Sequence, residues 1–289
     1  DKCDAMVCCM SAGEVVRLTR IGKFSMSGEA LGALSWLKRL RGNRKGANSS
    51  GHGQMKMLRR LPRLLRFLPG TAQDLRAYFL TLQYWLAGSD SNIANMVRLL
   101  VERYADGPRR GLRGSVKAAA PAEYPDIGVY HPAMKGRIAD RVDRLPAAPR
   151  ACRGTVGLLV MRSYLLAGNA GHYDGVISAL EARGLRVIPA FASGLDVRPA
   201  VEQFFMAKGR PTIDALVSLT GFSLVGGPAY NDAKAAAARL ATLDVPYIAA
   251  HPLEFQTVEQ WEDSDRGLLP VESTIMVAIP ELDGSTGPM

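Results

Sequence analysis

Short apolar runs alternate with helix-period segments through the second half of the chain, and the clearest instance is Gly154 to Asp196. Val156 to Met161 forms an apolar run, a loop carrying Gly168 and Gly171 follows, and Tyr173 to Arg183 has the spacing of a helix. Gly184 is placed to stop that helix, because a residue without Cβ accepts the left-handed conformation at little cost. A second apolar run, Leu185 to Ile188, begins at once. Strand, loop, helix and strand in this order predict one βαβ unit, with the loop after its first strand as the natural ligand face.

The alternation continues to the end of the chain. Arg198 to Ala207 and Tyr230 to Leu243 read as helices, Ile213 to Leu219 and Val245 to Ala250 as strands, and Thr257 to Trp261 as a helical turn or two. Thr274 to Ile279 reads as a last strand before the sequence PELDG. The predicted fold is therefore α/β, with a doubly wound, mostly parallel sheet forming a Rossmann-like domain over residues 151–289.

Before residue 151 the pattern changes. Asp4 to Met10 predicts a buried strand and Ala12 to Ile21 a helix, so residues 1–37 are expected to be the tail of an N-terminal α/β domain whose earlier part lies upstream. Residues 71–150 are expected to be helical and linking. Thr71 with Asp74 resembles a capping box for a first helix, Gly88 to Asp90 breaks it, and Ser91 or Asn92 can start a second. Tyr78, Phe79, Tyr84 and Trp85 fall at helical spacing and predict a core stripe rather than a cofactor platform. Gly107 to Ala122 and Arg141 to Arg153 read as connections, and Tyr124 to Pro132 as a short strand ending in His-Pro.

Charge changes this picture at one place. The formal net charge is +9, yet Lys38 to Arg66 holds ten Lys or Arg and no acidic residue, which leaves the remainder close to neutral. Basicity this local argues against a nucleic-acid-binding protein and for one anionic partner surface or a solvated segment. Residues 38–70 are expected to be a basic flexible segment, since Gly42 to Gly53 lacks apolar anchors. Met55 to Leu68 alternates basic and apolar residues, as a helix pair with a snorkelling basic face or a surface-lying segment would. No apolar run approaches the roughly 18–20 residues of a transmembrane helix. Cys3, Cys8, Cys9 and Cys152 show no CxxC spacing and fit thiols in a reducing cytoplasm.

Several residues have the right chemistry for a site. GNAG followed by His172 and Tyr173 starts a predicted helix, where free amides and the helix dipole favour an anion, but it is neither GxGxxG nor a Walker loop. His131 and His251 each end a predicted strand and precede Pro, positions from which an imidazole can ligate a metal, move a proton or simply serve the fold. Glu281 and Asp283 stand two apart in PELDG, where an extended backbone points both carboxylates to one side. Such a pair suits a hard cation or proton acceptance from a nitrogen acid, and a turn bonding its own backbone is the alternative.

DAMVCCMSAGEVVRLTRIGKFSM, DLRAYFLTLQYWLAGSDSNIANMVRLLVERYA, YPDIGVYHP, HYDGVISALEARGLRVIPAFASGLD and PVESTIMVAIPELDG together resemble the porphyrin-binding large-subunit family of magnesium chelatase, to which the cobaltochelatase large subunit is related. The resemblance runs along the whole chain in order and covers only part of the family's length. It implies a subunit of an ATP-driven ligase that inserts Mg²⁺ into protoporphyrin IX on the way to chlorophyll or bacteriochlorophyll. Two smaller AAA+ subunits would hydrolyse the ATP, in the cytoplasm or in a plastid stroma. Under this resemblance Glu281 and Asp283 are expected as catalytic and metal-holding carboxylates, and His172, Tyr173 and His251 as porphyrin contacts. A cobaltochelatase acting on a corrin precursor and a non-catalytic interaction fragment are the alternatives.

Overall fold

The computed structural model of the chain describes residues 3–9, 12–27, 61–227 and 230–286. Its contacts divide into two units, residues 1–124 and 125–289.

In the first unit, β1 (Ala5–Met6), β2 (Arg20–Ile21) and β3 (Phe24–Ser25) form a three-stranded antiparallel sheet, with α1 (Gly13–Val16) between the first two. The helix expected over Ala12 to Ile21 is thus a single turn. Its would-be apolar face, Val15 and Leu18, is exposed, whereas Ile21 and Phe24 are buried on either side of a turn at Gly22, whose φ is +56°. Helices α2 (Thr71–Ala87) and α3 (Asp90–Tyr104) pack on this hairpin, separated by Gly88 in the left-handed conformation. Ser89 caps α3 by accepting from the Asn92 N–H at 3.3 Å.

Thr71 does not cap α2; the preceding position is Gly70 and no side chain bonds there. Asp74 accepts instead from the Lys23 N–H at 2.9 Å and the Tyr104 hydroxyl at 2.8 Å, joining the hairpin to both helices. Tyr78, Phe79 and Tyr84 are buried as the stripe predicts, and Trp85 is half-exposed. Of the basic segment, residues 38–60 lie outside the described residues; Leu61 and Leu65 are buried in the core of this unit. Residues 118–122 are held to α3 by Asn95, which accepts from Ala119 N–H, and by Asn92, which accepts from Ala122 N–H.

The second unit begins at Pro125 rather than 151. Its sheet contains β4 (Ile127–Tyr130), β5 (Ile138–Ala139), β6 (Gly154–Leu159), β7 (Leu185–Ala192), β10 (Ala215–Ser218) and β13 (Tyr247–Ala249), in the order β13-β10-β6-β7-β4-β5. Two small hairpins lie apart from it: β8 (Met206–Ala207) with β9 (Arg210–Pro211), and β11 (Gly226–Gly227) with β12 (Tyr230–Asn231). The four strands from β13 to β7 are parallel, as expected, while β4 and β5 add antiparallel at one edge. Gly128 lies opposite Phe191 in register, and a Cβ there would sit 2.6 Å from that ring and from the Ala139 carbonyl. Only glycine lets β4 close on β7.

Helices cover both faces. Leu158 and Leu159, adjacent on β6, are both fully buried in different clusters, which is the signature of a strand covered on both sides. The helices α4 (Arg162–Leu166) and α5 (Gly171–Glu181) follow β6, and Tyr173 and Ile177 of α5 pack with Leu158. The helices α6 (Arg198–Phe205) and α7 (Ala233–Leu243) pack with Leu159 and Leu216. Gly184, at φ +77°, turns the chain from α5 into β7.

The last expected strand is not one. After α8 (Val258–Glu262), the chain forms α9 (Pro270–Glu272), a π-helical segment Ser273–Ala278, and α10 (Ile279–Leu282). A six-residue apolar run reads equally as a buried strand or helix, and Pro270 in the first turn with Glu272 accepting from the Leu269 N–H starts the helix here.

Candidate functional site: a cleft at the carboxyl ends of the parallel strands

From β6 the chain crosses to β7 on one side and then to β10 on the other, so the connections diverge between β6 and β10. In an open α/β sheet this divergence leaves a crevice at the carboxyl ends of the strands. A cavity of about 320 Å³ lies there, walled by Tyr164 and Tyr173 after β6, Phe222 after β10, and His251, Glu254 and Phe255 after β13. Beside it a second cavity of about 390 Å³ is lined by Leu253, Val258, Trp261, Leu268 and Val277. His251 and Met276 contribute to both walls.

The wall is positioned by hydrogen bonds that start in local sequence. Ala250 N–H donates to the Ser218 carbonyl at 2.9 Å, carrying the ladder of β10 and β13 one residue further before the chain turns at His251-Pro252. Glu272 is fully buried and accepts from Phe255 N–H at 3.3 Å, the Gln256 amide at 2.6 Å and Leu269 N–H at 2.9 Å, so one carboxylate ties the loop after β13 to α9. Thr257 and Gln260 form a capping box at α8. On the other wall, Tyr173 accepts from Met161 N–H at 3.2 Å, and Tyr164 donates its hydroxyl to Glu254. The Tyr164 ring stands edge-on to His172 and Tyr173, at 5.7 Å and 6.3 Å between centroids.

Burial sets the electrostatics. It brings His251 down to about 4, so the imidazole is neutral at ordinary pH. Among the described residues neither ring nitrogen of His251 has a hydrogen-bond partner, and neither does Nε2 of His172, which burial also lowers. Tyr164 is pushed up to about 12 by burial and by its bond to Glu254. The cleft therefore offers flat apolar and aromatic surface, neutral imidazoles and one exposed carboxylate.

Of the residues singled out from sequence, Tyr173 and His251 line the first cavity, and the His172 ring lies against Tyr173, tilted by 49° with centroids 3.9 Å apart. Glu281 and Asp283 do not form the expected same-side pair, because their backbone is helical rather than extended. Glu281 is exposed on α10. Asp283 is buried at the end of that helix, where it accepts from Leu224 N–H at 2.6 Å and from the Ser223 hydroxyl at 2.9 Å, so its partners lie far off in sequence rather than in the backbone of its own turn. Desolvation raises its pKa against those two bonds. His131 is likewise committed, with Nε2 3.0 Å from Glu181 and Nδ1 accepting from Ala133 N–H. Among the described residues no three His, Cys, Asp or Glu side chains converge as a metal site.

Tyr164, Phe222, Glu254, Phe255, Trp261 and Met276 were missed. The loop HPLEF, directly after a parallel strand, carried the signal for Glu254 and Phe255. No helix among the described residues is long and apolar enough to cross a membrane.

Comparison with known proteins gives this cleft a context. Residues 82–289 match the family model CobN/Magnesium Chelatase, and residues 1–79 match the Domain of unknown function (DUF3479). The magnesium-chelatase H-subunit of Cereibacter sphaeroides is 53% identical over 288 residues, covering 100% of this chain and 24% of that protein. The chloroplastic magnesium-chelatase subunit ChlH of Oryza sativa subsp. indica is 40% identical over 309 residues, covering 100% of this chain and 22% of its own length. Among solved structures, the catalytic subunit of cobaltochelatase from Mycobacterium tuberculosis aligns with a TM-score of 0.49 and 23% identity, over 72% of this chain and 16% of that one. The chain thus spans about a quarter of the length of these curated relatives. With its family model matched over most of its residues and these identities sustained from end to end, the chain belongs to the CobN/magnesium chelatase family.

Proposed function

We propose that this chain is part of the porphyrin-binding subunit of an ATP-dependent magnesium chelatase, which inserts Mg²⁺ into protoporphyrin IX in chlorophyll or bacteriochlorophyll synthesis. The observation that carries the reading is the 53% identity to a magnesium-chelatase H-subunit across the whole chain. The cleft supports it chemically: a planar, largely apolar macrocycle is matched by aromatic side chains with few polar groups. In this reading Tyr173, His172 and His251 form the porphyrin wall. AAA+ partner subunits hydrolyse the ATP, consistent with a sequence that carries no Walker loop, and the complex works in the cytoplasm or its plastid equivalent. Glu281 is exposed and keeps the role of a carboxylate for proton or Mg²⁺ transfer; Asp283 belongs to the fold.

The test is a fluorescence-quenching titration of the full-length subunit with protoporphyrin IX, wild type against Phe255→Ala. Phe255 lines the cleft and is 57% exposed, so its truncation leaves the core intact. The expected result is several-fold weaker binding by the variant, and an unchanged Kd removes the cleft from the porphyrin site. A corrin precursor titrated in parallel separates the cobaltochelatase alternative.

A further inference from the structure

Beyond His251 and Met276, the second cavity shares no lining residue with the first. Its other walls are Leu253, Val258, Trp261, Leu268 and Val277, all apolar. Val258 and Trp261 stand three apart on α8 and are 54% and 42% exposed, so the apolar surface continues out of the cavity onto the helix. Val277 belongs to the π-helical segment Ser273–Ala278, and π-helical turns are rare and concentrate at functional sites.

Negative charge gathers around this surface. Residues 251–289 hold eight Asp or Glu against one Arg and no Lys, a net of −7 within a chain of +9. Glu272 and Asp283 are buried and hydrogen-bonded within the fold. Glu254, Glu259, Glu262, Asp263 and Asp265 are exposed, and they interleave in sequence with the lining positions 253, 258, 261 and 268, which sets carboxylates along the edge of the cavity. Among the described residues none of the five is paired with Lys or Arg. Glu262 and Asp263 close α8, where the helix dipole favours a cation, so the helix itself gains nothing from their charge.

We infer that the second cavity and its acidic edge form a docking surface for a basic, apolar segment of a partner protein. An aliphatic or aromatic side chain of that segment fills the cavity, while flanking Arg or Lys meet the carboxylates and the face of Trp261, the aromatic ring that attracts cations best. The five carboxylates decide the class of partner. A neutral apolar molecule leaves all of them unmatched, a small organic cation matches one or two, and nucleic acid or an anionic bilayer is repelled. A segment carrying several cations matches them together and also covers the exposed Val258. The inference does not depend on the tetrapyrrole reading.

The test uses the full-length subunit and a labelled synthetic peptide with the sequence of residues 58–70 of this chain, LRRLPRLLRFLPG, which sets four Arg among Leu and Phe. Fluorescence anisotropy should show binding that weakens as salt rises, because charges at an exposed edge are screened. Glu262→Lys combined with Asp263→Lys should weaken it by about tenfold or more at low salt. That variant should keep its circular dichroism spectrum, since Lys suits the end of a helix, and Glu262→Gln with Asp263→Asn should fall between it and the wild type. Trp261→Ala should also weaken binding. A peptide with every Arg replaced by Gln, and one with every Leu and Phe replaced by Ser, should each lose binding, because cavity and edge act together. No binding of the parent peptide by the wild-type subunit, or equal binding by the charge-reversed variant, overturns the inference. Protoporphyrin quenching should be the same in the charge-reversed variant, since neither residue lines the first cavity, so failure here leaves the porphyrin reading standing.

Discussion

Replacing Asp283 separates a carboxylate that holds the fold from one that reacts. Its two oxygens accept from Leu224 N–H at 2.6 Å and from the Ser223 hydroxyl at 2.9 Å, and the side chain is 2% exposed. In Asp283→Ala both donors lose their partner. The Ser223 hydroxyl can rotate, but the Leu224 amide cannot, and stranding it costs about 1–3 kcal/mol, with the lost charge-assisted bond and the small void taking the total to about 3 kcal/mol. Asp283→Asn keeps an oxygen for Leu224 N–H while its amide faces a hydroxyl able to accept, so the expected cost is about 1 kcal/mol.

The pH dependence has a defined sign. Desolvation raises the folded-state pKa of Asp283 above the ordinary 3.8, so between that value and the raised one the native protein holds a proton that the unfolded chain has released. Stability from this group is therefore complete below pH 3.8 and declines as pH rises through the raised value, and the loss caused by Asp283→Asn is smaller at pH 7 than near pH 4. Hydrogen exchange at the Leu224 amide reads this locally. A loss of about 3 kcal/mol in Asp283→Ala corresponds to roughly a hundredfold faster exchange. Unchanged protection at Leu224, or a fully stable Asp283→Asn that no longer supports metal insertion, would refute the structural assignment.

Further outcomes are expected elsewhere. Gly128→Ala puts a Cβ 2.6 Å from the Ala139 carbonyl and the Phe191 ring, and should destabilise the second unit by about 1–3 kcal/mol in urea melts. Gly226→Ala combines a φ of +113° with a Cβ 2.2 Å from the Tyr230 carbonyl; it should cost at least about 2 kcal/mol and show as lost amide protection at the β11–β12 hairpin. Thr257→Ala removes the hydroxyl that caps α8 and should cost about 1 kcal/mol, seen as a lower Tm by calorimetry. Glu281→Gln in the full-length subunit should slow Mg²⁺ insertion while leaving porphyrin quenching and the circular dichroism spectrum intact, since the residue is exposed; an unaltered rate removes it from the reaction.

What the sequence made legible follows from how local each signal was. The unit from β6 to β7 was readable because period, Gly168, Gly171 and Gly184 all lie within it, and α2 and α3 because Gly88 and Ser89 mark their junction. The pairing of β4 with β7 was not, because it depends on Gly128 meeting Phe191 some sixty residues on. TIMVAI carried no period to choose between strand and helix, and what decided it was Pro270 and the buried Glu272 upstream. At the site, His251 and Tyr173 stood out as polar groups at element ends. Phe222, Trp261 and Met276 had no such mark, since an apolar residue lining a cleft looks in sequence like one filling a core.

The antiparallel edge also has a consequence in time. Strand β4 hydrogen-bonds to β7, which is completed at Ala192, while β4 itself ends at Tyr130. At the roughly 5–20 residues per second of ribosomal synthesis, β4 waits on the order of 3–12 s for its partner to be made. During that interval Val129 and Tyr130, wholly buried in the finished sheet, have nowhere to go, and β6, synthesised in between, has not yet acquired the neighbour that separates it from β4. Nascent chains stalled between residues 131 and 185 are where a trigger-type chaperone should be found holding this protein.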